Sequence, residues 1–153
     1  MKIIPLTDGK ASIVDDEDYE FLTQWKWHHN QNRAVRRLAA KFGRKVVLMH
    51  RIILNAPDDL LVDHIDGNGL NNQKINLRIC NKAQNAQNQR IGSRNKTGVK
   101  GAFFCLRSKK YQAVIIANRK THLLGLFDLL EDAKKAYNDA APIFHGEFAR
   151  PNP

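Results

Sequence analysis

The stretch Leu61 to Asn88, LVDHIDGNGLNNQKINLRICNKAQNAQN, constrains this chain more than any other. Asp63 and His64 sit side by side after an apolar pair. Asp66-Gly67-Asn68-Gly69 and the pair Asn71-Asn72 follow, and such residues turn the chain because Gly and Asn tolerate left-handed backbone. Ile75, Leu77 and Ile79 then alternate with polar residues, the period of a half-buried strand. Asn81 is a good N-cap and Gln84 falls three residues later, as a capping box requires. The order is therefore strand, long turn, strand, short helix. Asp63 and His64 end the first strand, and Asn85 lies one turn inside the helix, where it can point back at them. The turn is not an EF-hand loop, because Ile65 occupies a position that needs an oxygen ligand.

Asp63-His64-x-Asp66-Gly67-Asn68, then Asn71-Asn72, then Asn76-Leu77-Arg78, then Asn85 resembles the HNH endonucleases, in the branch of phage and mobile-intron nicking and homing enzymes. Met49-His50-Arg51 is similar to the segment that precedes the active site in that branch. The resemblance implies a ββα-metal unit over residues 60–89 that holds one divalent metal ion. It implies His64 as general base, Asp63 and Asn85 as metal ligands, and Asn76 as the residue that orients the His64 ring. Asn85 stands where the family name implies a histidine. A neutral oxygen donor there suits Mg²⁺ or Mn²⁺ more than Zn²⁺.

Phosphodiester hydrolysis needs a deprotonated water and stabilisation of the leaving oxygen. A neutral imidazole can take the proton. A metal held by one carboxylate keeps open positions for phosphate oxygens. An amide on the other ring nitrogen fixes the tautomer. His50 is expected to pack or to hydrogen-bond rather than to catalyse.

The 153 residues carry a formal net charge of +10, which argues for a polyanionic partner, most simply nucleic acid, and the resemblance implies double-stranded DNA. Cys80 and Cys105 form no CxxC pair, so neither a cysteine-built zinc site nor a disulfide framework is expected, and a cytoplasmic setting fits. No apolar run is long enough to span a membrane, and no protein partner is evident.

Along the chain, residues 1–14 read as two short strands around Thr7-Asp8-Gly9. The acids from Asp15 to Glu20 open a helix as a solvated start, with Asp15 or Asp16 as cap. Trp25 and Trp27 are expected in the core. From Lys26 to Arg51 there is no acid, and two strands are expected to turn at Lys41-Phe42-Gly43-Arg44. A short helix over the Met-His-Arg segment should end before Pro57.

Composition shifts after Asn88. Residues 1–89 hold 13 basic and 10 acidic side chains, whereas residues 90–153 hold 12 and 5. Two domains and a linker follow: a nuclease domain over 1–89, a basic linker over 90–98, and a second domain over 99–153. Strands at 99–106, 111–117 and 121–127 and a helix capped by Asp128 and kinked or ended at Pro142 predict a three-stranded antiparallel sheet packed on one helix. The fold class is α+β. Lys100-Gly101, Leu124-Gly125-Leu126-Phe127-Asp128, Glu131-Asp132-Ala133, Ala136-Tyr137 and Ala140-Ala141 resemble the Apetala-two/ethylene-response-factor DNA-binding domain. The plant family reads bases with polar residues of its outer sheet face. Phe103, Cys105, Val114, Ile116 and Leu123 fall there instead, so packing against another surface is favoured over base reading.

The combined expectation is a metal-dependent DNA endonuclease with Arg51, Arg78, Lys100 and Lys110 as DNA contacts. Two other readings stay open: a DNA-binding protein with a degenerate HNH unit, and a nuclease for RNA or structured nucleic acid.

Overall fold

The N-terminal residues pair at once. Strand β1 (Lys2–Pro5) and strand β2 (Ala11–Val14) form an antiparallel hairpin around Gly9, whose φ of 79° suits the turn. The computed structural model describes residues 1–38 and 45–153. The expected turn at Lys41 to Arg44 lies outside the described residues. The chain is a mixed α+β structure that divides into two compact units, Met1–Asn85 and Ala86–Pro153.

In the first unit, helix α1 (Asp16–Thr23) follows β2 and buries Leu22. Asp15 holds the N-cap position, but its carboxylate caps nothing in α1. It accepts instead from the Lys74 N–H at 2.7 Å and from the Gln73 amide at 3.2 Å. Lys74 in turn pairs with Glu17 and Asp18. The acidic run is therefore a clamp on a distant turn rather than a solvated helix start. Strands β3 (His28–Asn30), β4 (Arg33–Arg37) and β5 (Val46–Leu48) form an antiparallel sheet, followed by helix α2 (Met49–Ile53). Ile4, Leu6, Val14, Leu22, Trp27, Ala34 and Met49 close the core. The Trp27 indole N–H donates to the Leu22 carbonyl at 2.8 Å, which satisfies its one polar atom inside the core. Trp25 is half-buried, with the Arg36 guanidinium 4.0 Å above its ring.

Strand β6 (Leu61–His64) and strand β7 (Leu77–Cys80) pair antiparallel, and helix α3 (Lys82–Asn88) follows. The alternation that predicted β7 starts too early. Lys74–Asn76 is a 3-10 turn, and Ile75 is 86% exposed rather than half-buried. The capping box is present in both directions. Gln84 N–H donates to Asn81 Oδ1 and Asn81 N–H donates to Gln84 Oε1, each at 2.9 Å.

In the second unit, strands β8 (Ala102–Cys105), β9 (Lys110–Ala117) and β10 (Lys120–Phe127) form an antiparallel sheet with β9 central. Helix α4 (Leu130–His145) packs Ala133, Tyr137, Ala140 and Ala141 against it. Gly101 has φ of 74°, and a Cβ there would come within 2.0 Å of the Tyr137 ring. Two helix-end expectations fail. Leu129, not Asp128, holds the N-cap position, because Asp128 pairs with Lys110. Pro142 lies inside α4 and does not end it, and the helix runs on to His145. So close to the C-terminus, a missing N–H removes one bond without breaking a long ladder. The unit boundary falls inside α3, earlier than residue 89. Residues 90–98 belong to the second unit, where Asn95 accepts from the Thr97 and Gly98 N–H groups and the Thr97 hydroxyl donates to the Ala102 carbonyl at 2.8 Å.

Candidate active site

The β6–β7 hairpin carries Asp63 and His64 to the end of its first strand, opposite Arg78 and Leu77 respectively. Both residues are buried, at 6% and 8% exposure. The loop between the strands is built on amides. Asn76 accepts the Asp66 N–H on Oδ1 at 3.0 Å, while its Nδ2 donates to Asp66 Oδ1 and to the Asn71 carbonyl. Asp66 also accepts from the Asn68 N–H and from the Asn71 amide. Burial alone would push the Asp66 carboxyl up, but these donors outweigh it and hold it below the ordinary carboxylate range. Close approach fixes the loop from outside as well. A Cβ on Gly69 would meet the Asn32 carbonyl oxygen at 2.0 Å, where Gln31 and Asn32 turn β3 into β4 with positive φ.

The His64 ring faces an amide, but not the expected one. Asn72 Oδ1 lies 3.1 Å from His64 Nε2, whereas both ends of the Asn76 side chain are bound to the loop. The amide at the His64 ring is therefore that of Asn72 rather than Asn76, whose side chain bonds within the loop. His50, buried on α2, stands edge-on to the His64 ring with centroids 5.0 Å apart. Burial pushes the His50 imidazole down to about 3, with His64, Arg33 and Arg51 adding to the fall. Its packing role is the expected one. Burial also lowers His64, against the Asn72 bond and the Asp66 and Asp63 carboxylates, which pull it upward. The net effect keeps His64 neutral at physiological pH, the state in which an imidazole accepts a proton.

Asp63 is joined to Arg78. The guanidinium donates from Nε at 3.0 Å and from a terminal nitrogen at 2.8 Å to Asp63 Oδ2, and both side chains are about nine-tenths buried. Asn85, half-buried, lies in the first turns of α3, its N–H bonded to the Asn81 carbonyl. Among the described residues no three His, Cys, Asp or Glu side chains gather into a metal-binding group. Asp63 and Asn85 are the carboxylate and the amide that the resemblance expects as metal ligands.

The four cations expected to meet DNA all have partners within the chain. Arg51 donates to the carbonyls of Ala56, Pro57 and Leu60, and so ties the chain after α2. Arg78 is buried against Asp63. Lys100 donates to the Gln87 and Gln89 carbonyls, and burial lowers its ammonium to about 8, with Arg150 contributing. Lys110 pairs with Asp128 at 3.1 Å and remains partly exposed. Exposed cations of the second unit include Arg107 and Lys109 between β8 and β9, Arg119 and Lys120 at the turn into β10, and Arg90, Arg94, Lys96 and Lys135 elsewhere. Phe103, Ile116, Leu123 and Leu126 are exposed on the sheet, the apolar character expected of that face. Among the described residues no helix is long and apolar enough to cross a membrane.

Two curated proteins are similar to this chain. An uncharacterized HNH endonuclease of Acanthamoeba polyphaga mimivirus is 30% identical over 150 residues, which cover 94% of this chain and 75% of that protein. Protein 3.8 of Escherichia phage T7 is 33% identical over 94 residues, covering 61% of this chain and 77% of that protein. No family model and no solved structure matches.

Proposed function

The chain belongs to the HNH endonuclease family, and on that premise we propose that it hydrolyses phosphodiester bonds of double-stranded DNA with one divalent metal ion, Mg²⁺ or Mn²⁺. The observation that carries this reading is the buried, neutral His64 beside Asp63, its ring held by an amide. In it, His64 takes the proton from the attacking water as that oxygen bonds to phosphorus and the P–O bond to the leaving oxygen breaks. Asp63 and Asn85 would hold the ion. Their oxygen donors, with a single charge between them, fit a hard cation that keeps much of its water. When bound, it would supply charge stabilisation to the phosphate and leaving oxygens. Arg78 keeps the Asp63 carboxylate oriented, and Asn76 keeps the loop that precedes β7 closed around the site. Strands β6 and β7 with α3 are the ββα unit of this reading.

The second unit is read as a DNA-binding domain of the Apetala-two/ethylene-response-factor type. Its cationic hairpin tips would meet phosphates, which fix position without carrying sequence information. The test is incubation with supercoiled plasmid, with Mg²⁺ and with chelator, beside single-stranded DNA and RNA. Nicked or linear plasmid with Mg²⁺ alone is the expected result. Cleavage that persists in excess chelator refutes the metal, and a preference for RNA refutes the substrate. His64→Ala should lower the rate by roughly 10²–10⁴-fold, the usual contribution of a positioned base.

A further inference from the structure

A buried chain of hydrogen bonds reaches the His64 ring from the N-terminal hairpin. Ser12, on β2, and Asn72 are both 0% exposed. The Ser12 hydroxyl donates toward the Leu70 carbonyl at 3.1 Å and toward Met49 Sδ at 3.3 Å. Both are acceptors, so the one hydroxyl proton points away from Asn72. Ser12 Oγ must therefore accept from Asn72, and Asn72 Nδ2 lies 2.7 Å from it. That turns Asn72 Oδ1 to the ring, 3.1 Å from His64 Nε2. An amide oxygen only accepts, so Nε2 carries the proton. The backbone holds the same registry. Ile13 N–H donates to the Leu70 carbonyl and Asn72 N–H donates to the Ile13 carbonyl, each at 2.8 Å. Neither end of the relay can slide without breaking these bonds.

We propose that Ser12 and Asn72 are positioning residues that hold neutral His64 as its Nε2–H tautomer. Every link has a fixed direction: carbonyl, hydroxyl, amide, imidazole. A neutral imidazole carries its proton on one nitrogen and its basic lone pair on the other. With the other tautomer, the lone pair would face the Asn72 oxygen, two acceptors with no proton between them. The catalytic meaning of the relay rests on the nuclease reading, but the tautomer itself does not.

The experiment is long-range ¹H–¹⁵N correlation of the histidine rings in the ¹⁵N-labelled full chain, above neutral pH. The His64 signals are identified by their loss in His64→Gln. Wild type should show a protonated Nε2 and a bare Nδ1. Ser12→Ala should free the amide to turn and move both nitrogen shifts toward the average of the two tautomers, whereas Ser12→Thr, which keeps the hydroxyl, should hold the wild-type pattern. In plasmid cleavage, Ser12→Ala should lower kcat by at least about tenfold at unchanged KM, the scale of losing a group that orients a histidine. A wild-type His64 protonated on Nδ1 overturns the proposal, and so does a Ser12→Ala protein whose His64 shifts stay where they were. A wild type with the Nε2–H tautomer but no cleavage of any nucleic acid would refute the nuclease and leave the relay standing.

Discussion

Acid should unfold the first unit well before its carboxylates titrate, and His50 sets the size of the effect. The ring is 4% exposed, and burial pushes it down to about 3 from the 6.5 of an exposed histidine. Its Nδ1 is buried with no hydrogen-bond partner, so nothing in the fold rewards a proton there. The unfolded chain takes up that proton below about pH 6.5, and the folded chain refuses it until near pH 3. Stability is therefore complete above pH 6.5 and falls as the pH drops between these two values. At about 1.4 kcal/mol per pH unit, lowering the pH from roughly 7.5 to 5 removes about 2 kcal/mol. His64 is depressed in the same direction and adds to the loss. In a unit of this size each kcal/mol moves Tm by about 4–8 °C, so a fall of roughly 8–16 °C is expected. The assay is thermal melting followed by circular dichroism at the two pH values, for wild type and for His50→Leu. The variant removes the titrating ring and should flatten most of the slope. A wild-type Tm that changes by less than about 3 °C, or a slope that survives in His50→Leu, would refute the argument.

Arg78→Ala should destabilise the first unit by about 3–5 kcal/mol in urea titration, because it leaves the Asp63 carboxylate buried without its partner. The double variant Asp63→Leu with Arg78→Leu should recover much of that, and a double no more stable than the single speaks against a desolvation cost. Asn76→Ala orphans the Asp66 N–H and the Asn71 carbonyl, so a loss of about 2–4 kcal/mol is expected by the same method, together with faster hydrogen exchange at the Asp66 amide. Gly101→Ala places a methyl group into the Tyr137 ring on a backbone with φ of 74°, and should cost on the order of 2 kcal/mol or more by melting, whereas Gly92→Ala, with open space around it, should cost under about 1 kcal/mol.

The hairpin and helix around the site were legible because their signals are local. Asp-Gly-Asn-Gly turns a chain in most contexts, and the Asn81–Gln84 box closes over three residues whatever surrounds it. The identity of the amide at the ring was not legible. Asn71, Asn72 and Asn76 are chemically alike in sequence, and only the closed loop decides which meets His64. The signal that singles out Asn72 is its partner Ser12, which lies 60 positions away and carries no pattern of its own. The partners of the expected DNA-contacting cations were not legible for a related reason. A sequence shows that Arg51 and Lys100 are charged, but not that carbonyls at Ala56, Pro57, Leu60, Gln87 and Gln89 lie within reach of them.

These placements change what counts as the nuclease unit. Residues 60–89 contain every side chain the family resemblance assigns to chemistry, yet β6 and β7 form only a two-stranded sheet, and such a hairpin is marginal alone in water. Its supports come from residues that the motif does not include. Strand β2 bonds to residues 70 and 72 through Ile13 and sends Ser12 to Asn72. Asp15 holds the 3-10 turn before β7 by the Lys74 N–H, and Glu17 and Asp18 hold the same lysine by its ammonium. Asn32 packs on Gly69, and His50 packs on His64. A carboxylate that grips a backbone N–H fixes a turn more narrowly than one that touches a side chain alone, since the peptide has no rotamers to spare. The acids at the start of α1 thus act on the loop between β6 and β7. The placement of His64 depends on the first 18 residues as directly as on its own strand.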